Sequence, residues 1–248
     1  YNYVFDGYAV ELPTLVVSLI KKVPNILSLE LDQTAVGLAE QTPTPSWGLD
    51  RIDQRERVGL TGSVSSFGYR SAGAGATIYI GDTGIYPHSD FGSRLSKSGY
   101  SAISDGNGTV DCNGHGTHVA GIVKSIFPEV RILALKYYNP MASGQANLNS
   151  TIKALEYAVD QGVDIINYSG GGPEPSAAEL AVLKKAEKKG ILVIAAAGNE
   201  RSNIDRKKNA YYPASYGLSN IITGFVWDLP TPVQPMKSIA AVAIANNS

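Results

Sequence analysis

The sequence predicts an α/β fold in which a parallel sheet lies between two layers of helices. Four apolar runs with the composition of buried strands occupy residues 76–80, 130–135, 163–166 and 191–197. Amphipathic helical patterns follow at about residues 147–161 and 176–189. Strands that alternate with helices of this length join as parallel neighbours, because each helix carries the chain back along one face of the sheet. Functional sites in such sheets lie at the carboxyl ends of the strands.

The composition disfavours several classes of function. The 248 residues carry 21 basic and 22 acidic side chains, a formal charge of −1, so no basic surplus favours nucleic acid or an anionic membrane. No apolar run approaches the roughly 20 residues of a membrane-spanning helix. Cys112 is the single cysteine, which excludes an internal disulfide, and we expect it to be a small buried residue.

The N-terminal 50 residues differ in pattern from the rest. Residues 1–40 contain two strand-like runs and a helical run that starts near Pro13, as expected for part of a small α+β module. Residues 41–50 are rich in Pro, Thr and Ser and predict a linker. We therefore expect the main domain to occupy residues 51–248.

Polar or glycine-rich residues follow three of the predicted strands. Asp82 follows the first strand, residues 169–172 follow the third, and Gly198 and Asn199 follow the fourth. His115 lies in a glycine-rich stretch that opens a further helix. Because the carboxyl ends of parallel strands share one edge, we expect these residues to lie close together. Histidine titrates near neutral pH, so His115 is the natural proton carrier among them.

An acid, a histidine and a preorganised amide donor suit acyl transfer to a nucleophile. The motifs that carry these groups resemble, in the same chain order, the acid, base, substrate-strand and oxyanion motifs of subtilisin-like serine proteases. They are Asp82-Thr-Gly84, His115-Gly-Thr-His-Val-Ala-Gly121, Ser169-Gly-Gly-Gly172 and Ala195-Ala-Ala-Gly-Asn199. The resemblance implies a three-layer subtilisin-like domain.

The resemblance also implies roles for single residues. Asp82 would orient His115, which would act as general base and then acid, and Asn199 would donate its side-chain amide to the oxyanion. Two backbone edges would pair with an extended polypeptide substrate; they are formed by Ser169, Gly170 and Gly171 and by Ser143, Gly144 and Gln145. The family usually has Leu at the position of Gly170. His118, one turn beyond His115, is interpreted as structural.

By the same resemblance, residues 1–40 are similar to the later part of an inhibitory propeptide, which would act as an intramolecular inhibitor. Residues 45–52 are similar to the start of the mature enzyme, and the cut would fall near residues 39–41, so that the last residues of the propeptide would occupy the substrate cleft. An ordinary N-terminal subdomain is the alternative. The resemblance further implies secretion, chemistry that requires no cofactor, and calcium as an ion that the family commonly binds, although no acidic cluster identifies its ligands here.

The family's nucleophile lies in a Gly-Thr-Ser-x-Ala stretch, and the 248 residues contain no such stretch. Ser63, Ser215 and Ser238 lack the required neighbours. We therefore expect a subtilisin-type serine endopeptidase truncated before its catalytic serine, so that this chain alone is inactive. The alternative is a catalytically inactive subtilisin-like domain that binds peptides without cleaving them.

Two other kinds of site share parts of these motifs. An Asp-Thr-Gly motif also occurs in aspartic proteases, but these need a second copy or a symmetric dimer of a mostly β chain, and the sequence has one copy and several helices. His115 and His118, with Asp111 and Cys112 nearby in sequence, suggest zinc, yet they lack the His-Glu-x-x-His spacing and further ligands.

Overall fold

The computed structural model describes residues 39–44, 47–53, 66–140 and 148–224, together with residues 16, 19, 20, 23 and 24. Two short strands, β1 (Ala39–Gln41) and β2 (Phe67–Tyr69), form an antiparallel pair. The other strands in the described residues form a six-stranded sheet in the order β4-β5-β3-β6-β7-β8, and every neighbouring pair is parallel. They are β3 (Thr77–Asp82), β4 (Tyr100–Ser101), β5 (Arg131–Lys136), β6 (Ile165–Tyr168), β7 (Leu192–Ala196) and β8 (Ile221–Gly224).

Within the described ranges, the α-helices with defined bounds are α1 (Trp47–Asp53), α2 (His115–Ile126), α3 (Leu148–Gln161) and α4 (Ala177–Lys188). Three short 3₁₀ helices lie at Ser89–Arg94, Lys207–Asn209 and Ala214–Tyr216. The predicted α/β fold is therefore confirmed, and the four predicted strands lie within one or two residues of their observed bounds. None of the helices in the described ranges has both the length and the apolar composition needed to cross a membrane.

The sheet separates two hydrophobic cores, as expected for a strand pattern in which successive side chains point to opposite faces. Tyr79 of β3 belongs to one core, together with Leu155 of α3 and Leu183 of α4. Its neighbours Ile78 and Ile80 belong to the other core, which α2 covers with residues that include Val119, Ala120 and Val123. The continuous apolar runs in the sequence thus reflect strands that are buried on both faces.

The strand register brings the predicted site residues to one edge of the sheet. Asp82, the last residue of β3, lies opposite Lys136, the last residue of β5, and Gly81 lies opposite Tyr168, the last residue of β6. The segments that follow these strands therefore begin at the same level. We refer to this side of the sheet as the carboxyl edge.

The N-terminal module predicted for residues 1–40 lies almost wholly outside the described residues. Its last two residues belong to β1, where Gln41 donates a side-chain hydrogen bond of 2.7 Å to the carbonyl of Ser125, near the C-terminal end of α2. Helix α1 starts at Trp47, within the segment predicted as a linker. Leu49 of α1 and Phe67 of β2 pack together with Ile126, so this part of the chain covers the end of α2 remote from the carboxyl edge.

Candidate active site

Asp82 and His115 form a hydrogen-bonded pair at the carboxyl edge. The Nδ1 atom of His115 lies 2.8 Å from Oδ1 and 2.9 Å from Oδ2 of Asp82. Asp82 is almost completely buried, with 1% of its side chain exposed, whereas the His115 side chain is 34% exposed. The hydrogen bond from Asp82 raises the pKa of His115 above its ordinary value, against the opposing effect of burial, and the charges of Asp82 and Asp111 add to it. A buried acid therefore holds a more basic imidazole at the surface.

Glycine backbones set the distance between the strand that carries the acid and the helix that carries the base. A Cβ atom at Gly116 would collide with the carbonyl oxygen of Gly84 and would lie 3.0 Å from Cβ of Asp82. The amide of Gly116 instead donates a 3.0 Å hydrogen bond to the hydroxyl of Thr83. Gly84 itself has φ of 105°, a conformation that strains other residues. The first turn of α2 thus packs directly on the turn that follows β3.

Asp111 fixes the start of α2, a role that no sequence motif predicted. Its Oδ1 accepts hydrogen bonds from the Thr83 hydroxyl (2.8 Å) and from the amides of Asn113 (2.8 Å) and Gly114 (3.0 Å). Its Oδ2 accepts from the amide (2.9 Å) and hydroxyl (2.6 Å) of Thr117. Burial raises the pKa of Asp111, but these hydrogen bonds outweigh it and hold the pKa below its ordinary value. The N-cap position of α2 is Gly114, three residues after Asp111, so the usual pattern of a capping residue did not reveal this role.

A second buried charge lies beside the pair. Lys136 has no exposed side-chain surface, and its Nζ lies 2.6 Å from Oδ2 of Asp105, whose side chain is 3% exposed. Nζ also donates 2.7 Å to the carbonyl of Val110, and the Asn139 amide donates 2.7 Å to the same oxygen of Asp105. Burial raises the pKa of Asp105, but the hydrogen bonds from Lys136 and Asn139 hold it well below its ordinary value. This cluster ties the loop before α2 to the end of β5.

One of the two predicted substrate edges lies within the described residues. Ser169, Gly170 and Gly171 follow β6 at the carboxyl edge, and the hydroxyl of Ser169 accepts a 2.8 Å hydrogen bond from the Asn167 amide. At Gly170 the missing side chain is replaced by Tyr137, since a Cβ there would collide with the Tyr137 hydroxyl. The other predicted edge, Ser143, Gly144 and Gln145, falls outside the described residues.

Asn199 is exposed and lies just beyond the end of β7, after Gly198, which has φ of 88°. It therefore belongs to the same edge of the sheet as Asp82 and His115. His118, interpreted as structural, is exposed on α2. The prediction that Cys112 is buried is wrong: it is exposed, because the side chain of its neighbour Asp111 is the one that turns inward. Within the described ranges, no three His, Cys, Asp or Glu residues are grouped so that they could hold a metal ion.

Comparisons with known proteins agree with this geometry. The family model described as Subtilase family matches residues 73–247. The extracellular serine proteinase of Thermus sp. (strain Rt41A) is 36% identical over 207 residues, which cover 81% of this chain and 48% of that protein. The subtilase-type proteinase psp3 of Schizosaccharomyces pombe is 34% identical over 209 residues, covering 79% of this chain and 45% of that protein.

The M-protease of Shouchella clausii is 32% identical over 219 residues, which cover 84% of this chain and 51% of that protein. The chain thus spans about half the length of these relatives. Among solved structures, a lanthipeptide protease matches with a TM-score of 0.54 and 24% identity, covering 62% of this chain and 49% of that chain. That likeness shows a shared fold.

Proposed function

The chain belongs to the subtilase family, and from this membership we propose that it is the acid- and base-bearing part of a subtilisin-type serine endopeptidase that hydrolyses polypeptides. The observation that carries the proposal is the contact of 2.8 Å between a buried carboxylate and a partly exposed imidazole, Asp82 and His115. A carboxylate on Nδ1 leaves Nε2 as the nitrogen that can accept a proton from a nucleophile.

In this mechanism each residue has a defined role. Asp82 holds the Nδ1–H tautomer of His115 and stabilises the imidazolium that forms when Nε2 takes a proton. His115 later returns that proton to the leaving amine. The side-chain amide of Asn199 donates to the oxyanion, where one such donor contributes a factor of about 10²–10³ to turnover in related chemistry. The substrate backbone pairs with the edge formed by Ser169, Gly170 and Gly171, and with Ser143, Gly144 and Gln145 opposite.

The serine that His115 would activate is proposed to lie outside these 248 residues, because no Gly-Thr-Ser-x-Ala stretch occurs in them. The chain alone is then inactive, since loss of the nucleophile from such a triad lowers turnover by about 10⁶-fold. We also propose that residues 1–40 belong to an inhibitory propeptide, that the protein is secreted, and that calcium stabilises it without taking part in the chemistry.

The same missing motif favours one other function. A subtilisin-like domain with the acid, the base and the substrate edges but no nucleophile would bind extended peptides without cleaving them. The gene sequence beyond the codon for Ser248 separates the two functions. A Gly-Thr-Ser-x-Ala stretch there supports the endopeptidase, whereas a stop codon supports the peptide-binding domain.

The inactivity of this chain is tested with an unfolded protein substrate and a fluorophosphonate probe that labels activated serines. Neither hydrolysis nor labelling is expected from the 248-residue chain, and the His115→Ala variant should behave identically. His88→Ala is the matched control, because His88 is an exposed histidine that directly precedes the 3₁₀ helix Ser89–Arg94. Hydrolysis that disappears in His115→Ala but persists in His88→Ala would show that the chain contains a nucleophile and would refute the proposed inactivity.

A further inference from the structure

Two glycines on neighbouring segments of the carboxyl edge face the same aromatic ring. A Cβ atom at Gly171, which follows β6, would lie 2.5 Å from Cε1 of Tyr211. A Cβ atom at Gly198, which follows β7, would collide with the Glu200 carboxylate and would lie 3.0 Å from Cδ2 of Tyr211, at the opposite edge of that ring. The ring of Tyr211 therefore fills the space between the two glycines, which we call the Gly171–Gly198 slot.

Hydrogen bonds on both sides of Tyr211 hold the ring in this slot. Its amide donates 3.0 Å to the Ser215 hydroxyl, and its carbonyl accepts 2.9 Å from the Ser215 amide. The next residue, Tyr212, pairs with Gly172 through two backbone hydrogen bonds of 2.8 and 2.9 Å. Gly172 directly follows Gly171, and Tyr212 directly follows Tyr211. This bridge therefore holds the residue that carries the ring against one wall of the slot.

The slot lies between two segments that have roles in the proposed function. Ser169, Gly170 and Gly171 form the edge that pairs with the substrate backbone, and Asn199 follows Gly198 directly. Consider a polypeptide that pairs with the first segment and places the carbonyl oxygen of one residue at Asn199. The side chain of that same residue must then point between the two segments. That side chain meets the ring of Tyr211.

We propose that Tyr211 determines which residue is accepted immediately before the scissile bond, by filling the Gly171–Gly198 slot so that only small side chains such as those of glycine, alanine and serine fit. The inference rests on the proposed function, because it assumes that a peptide occupies the carboxyl edge. Tyr211 also lines a cavity of about 240 Å³ together with Pro173, Glu200 and Lys208. Removal of the ring would join the slot to this existing space.

Binding of product-like peptides tests the inference without a nucleophile. The probes are acetyl-Ala-Ala-Ala-Ala and acetyl-Ala-Ala-Ala-Phe, each with a free C-terminal carboxylate, titrated into the 248-residue chain and followed by calorimetry. We expect the original chain to bind the alanine peptide at least about tenfold more tightly than the phenylalanine peptide. In Tyr211→Ala the preference should reverse, whereas Tyr211→Phe, which keeps the ring, should preserve it.

Tyr69→Ala is the matched control, since Tyr69 lies in β2, beside the end of α2 remote from the carboxyl edge. Tyr211→Leu covers the case in which alanine unfolds the chain, and it should shift the preference in the same direction by a smaller factor. Equal binding of both peptides by the original chain, or an unchanged ratio in Tyr211→Ala and Tyr211→Leu, would refute the role of Tyr211 while leaving peptide binding intact. If neither peptide binds to any variant, either as the 248-residue chain or after removal of the proposed inhibitory segment by limited proteolysis near residues 39–41, the proposed function fails and the inference fails with it.

Discussion

Replacement of Asp111 by alanine is expected to destabilise the start of α2, which carries His115. Five donors converge on the Asp111 carboxylate: the hydroxyls of Thr83 and Thr117, and the amides of Asn113, Gly114 and Thr117. Asn113 and Gly114 are exposed, so water replaces the carboxylate for these two amides at little net cost. The other three donors lose about 1 kcal/mol or slightly more each, a total of about 3–4 kcal/mol.

The pH dependence of this loss follows from the depressed pKa of Asp111. A carboxylate whose pKa is lower in the folded state contributes stability that is present above its unfolded pKa of about 3.9 and is lost as the pH falls through the folded value. The difference between the original chain and Asp111→Ala should therefore be full at pH 7 and shrink below about pH 4. Asp111→Asn, which retains the shape without the charge, should be intermediate at pH 7.

Urea denaturation followed by circular dichroism measures both effects. Asp160→Ala is the matched control, because the Asp160 side chain is 78% exposed on α3, and it should change the free energy of unfolding by less than about 0.5 kcal/mol. The pKa of His115, followed by NMR, should fall toward about 6.5 in Asp111→Ala as the helix start loosens. A loss below about 1 kcal/mol, with the pKa of His115 unchanged, would refute the reasoning that Asp111 positions the base.

Other substitutions test the rest of the site. Asp82→Asn should lower the pKa of His115, as read by NMR. In the original chain the raised pKa of His115 contributes stability that is fully present below about pH 6.5 and is lost as the pH rises through the folded value. The variant should therefore be destabilised more at pH 5 than at pH 9. Gly170→Ala should lower the free energy of unfolding, measured with urea, by about 2 kcal/mol. Adding Tyr137→Phe should recover much of this loss, because it removes the hydroxyl that a Cβ at position 170 would strike. Full additivity of the two changes would argue against the contact. Lys136→Met should cost about 3–5 kcal/mol in the free energy of unfolding, because it leaves the buried carboxylate of Asp105 without its cation. The second substitution Asp105→Asn should restore part of this loss, whereas a merely steric defect would not be restored.

Local patterns in the sequence predicted the sheet and the position of the acid–base pair. Apolar runs buried on both faces differ from amphipathic helices over a few residues, so the alternation was visible without tertiary information. The rule that parallel strands present their carboxyl ends on one edge then placed Asp82 near His115. Strand β4 contains only two residues and was missed, because so short a strand has no periodicity to detect.

The contacts that support the site could not be predicted in the same way. The pairing of Lys136 with Asp105 joins residues far apart in sequence, and a lysine at the end of an apolar strand ordinarily reaches solvent. No sequence pattern accounted for glycine at positions 171 and 198; the structure places the Tyr211 ring between them, with the Tyr212 carbonyl close to Gly171 and the Glu200 carboxylate close to Gly198. Cys112 was expected to be buried because free cysteines commonly are. In its loop, however, the side chain of Asp111 points into the interior and that of Cys112 is exposed.

The close approach of Gly84 and Gly116 has a mechanical consequence. The turn after β3 and the first turn of α2 touch through main-chain atoms, and such a contact has no rotamers to sample. The main-chain segments that carry Asp82 and His115 are therefore held together as one stiff unit, anchored in the sheet on one side and in the helix on the other. We therefore expect thermal motion of the surrounding loops to change the exposure of His115 more than its separation from Asp82.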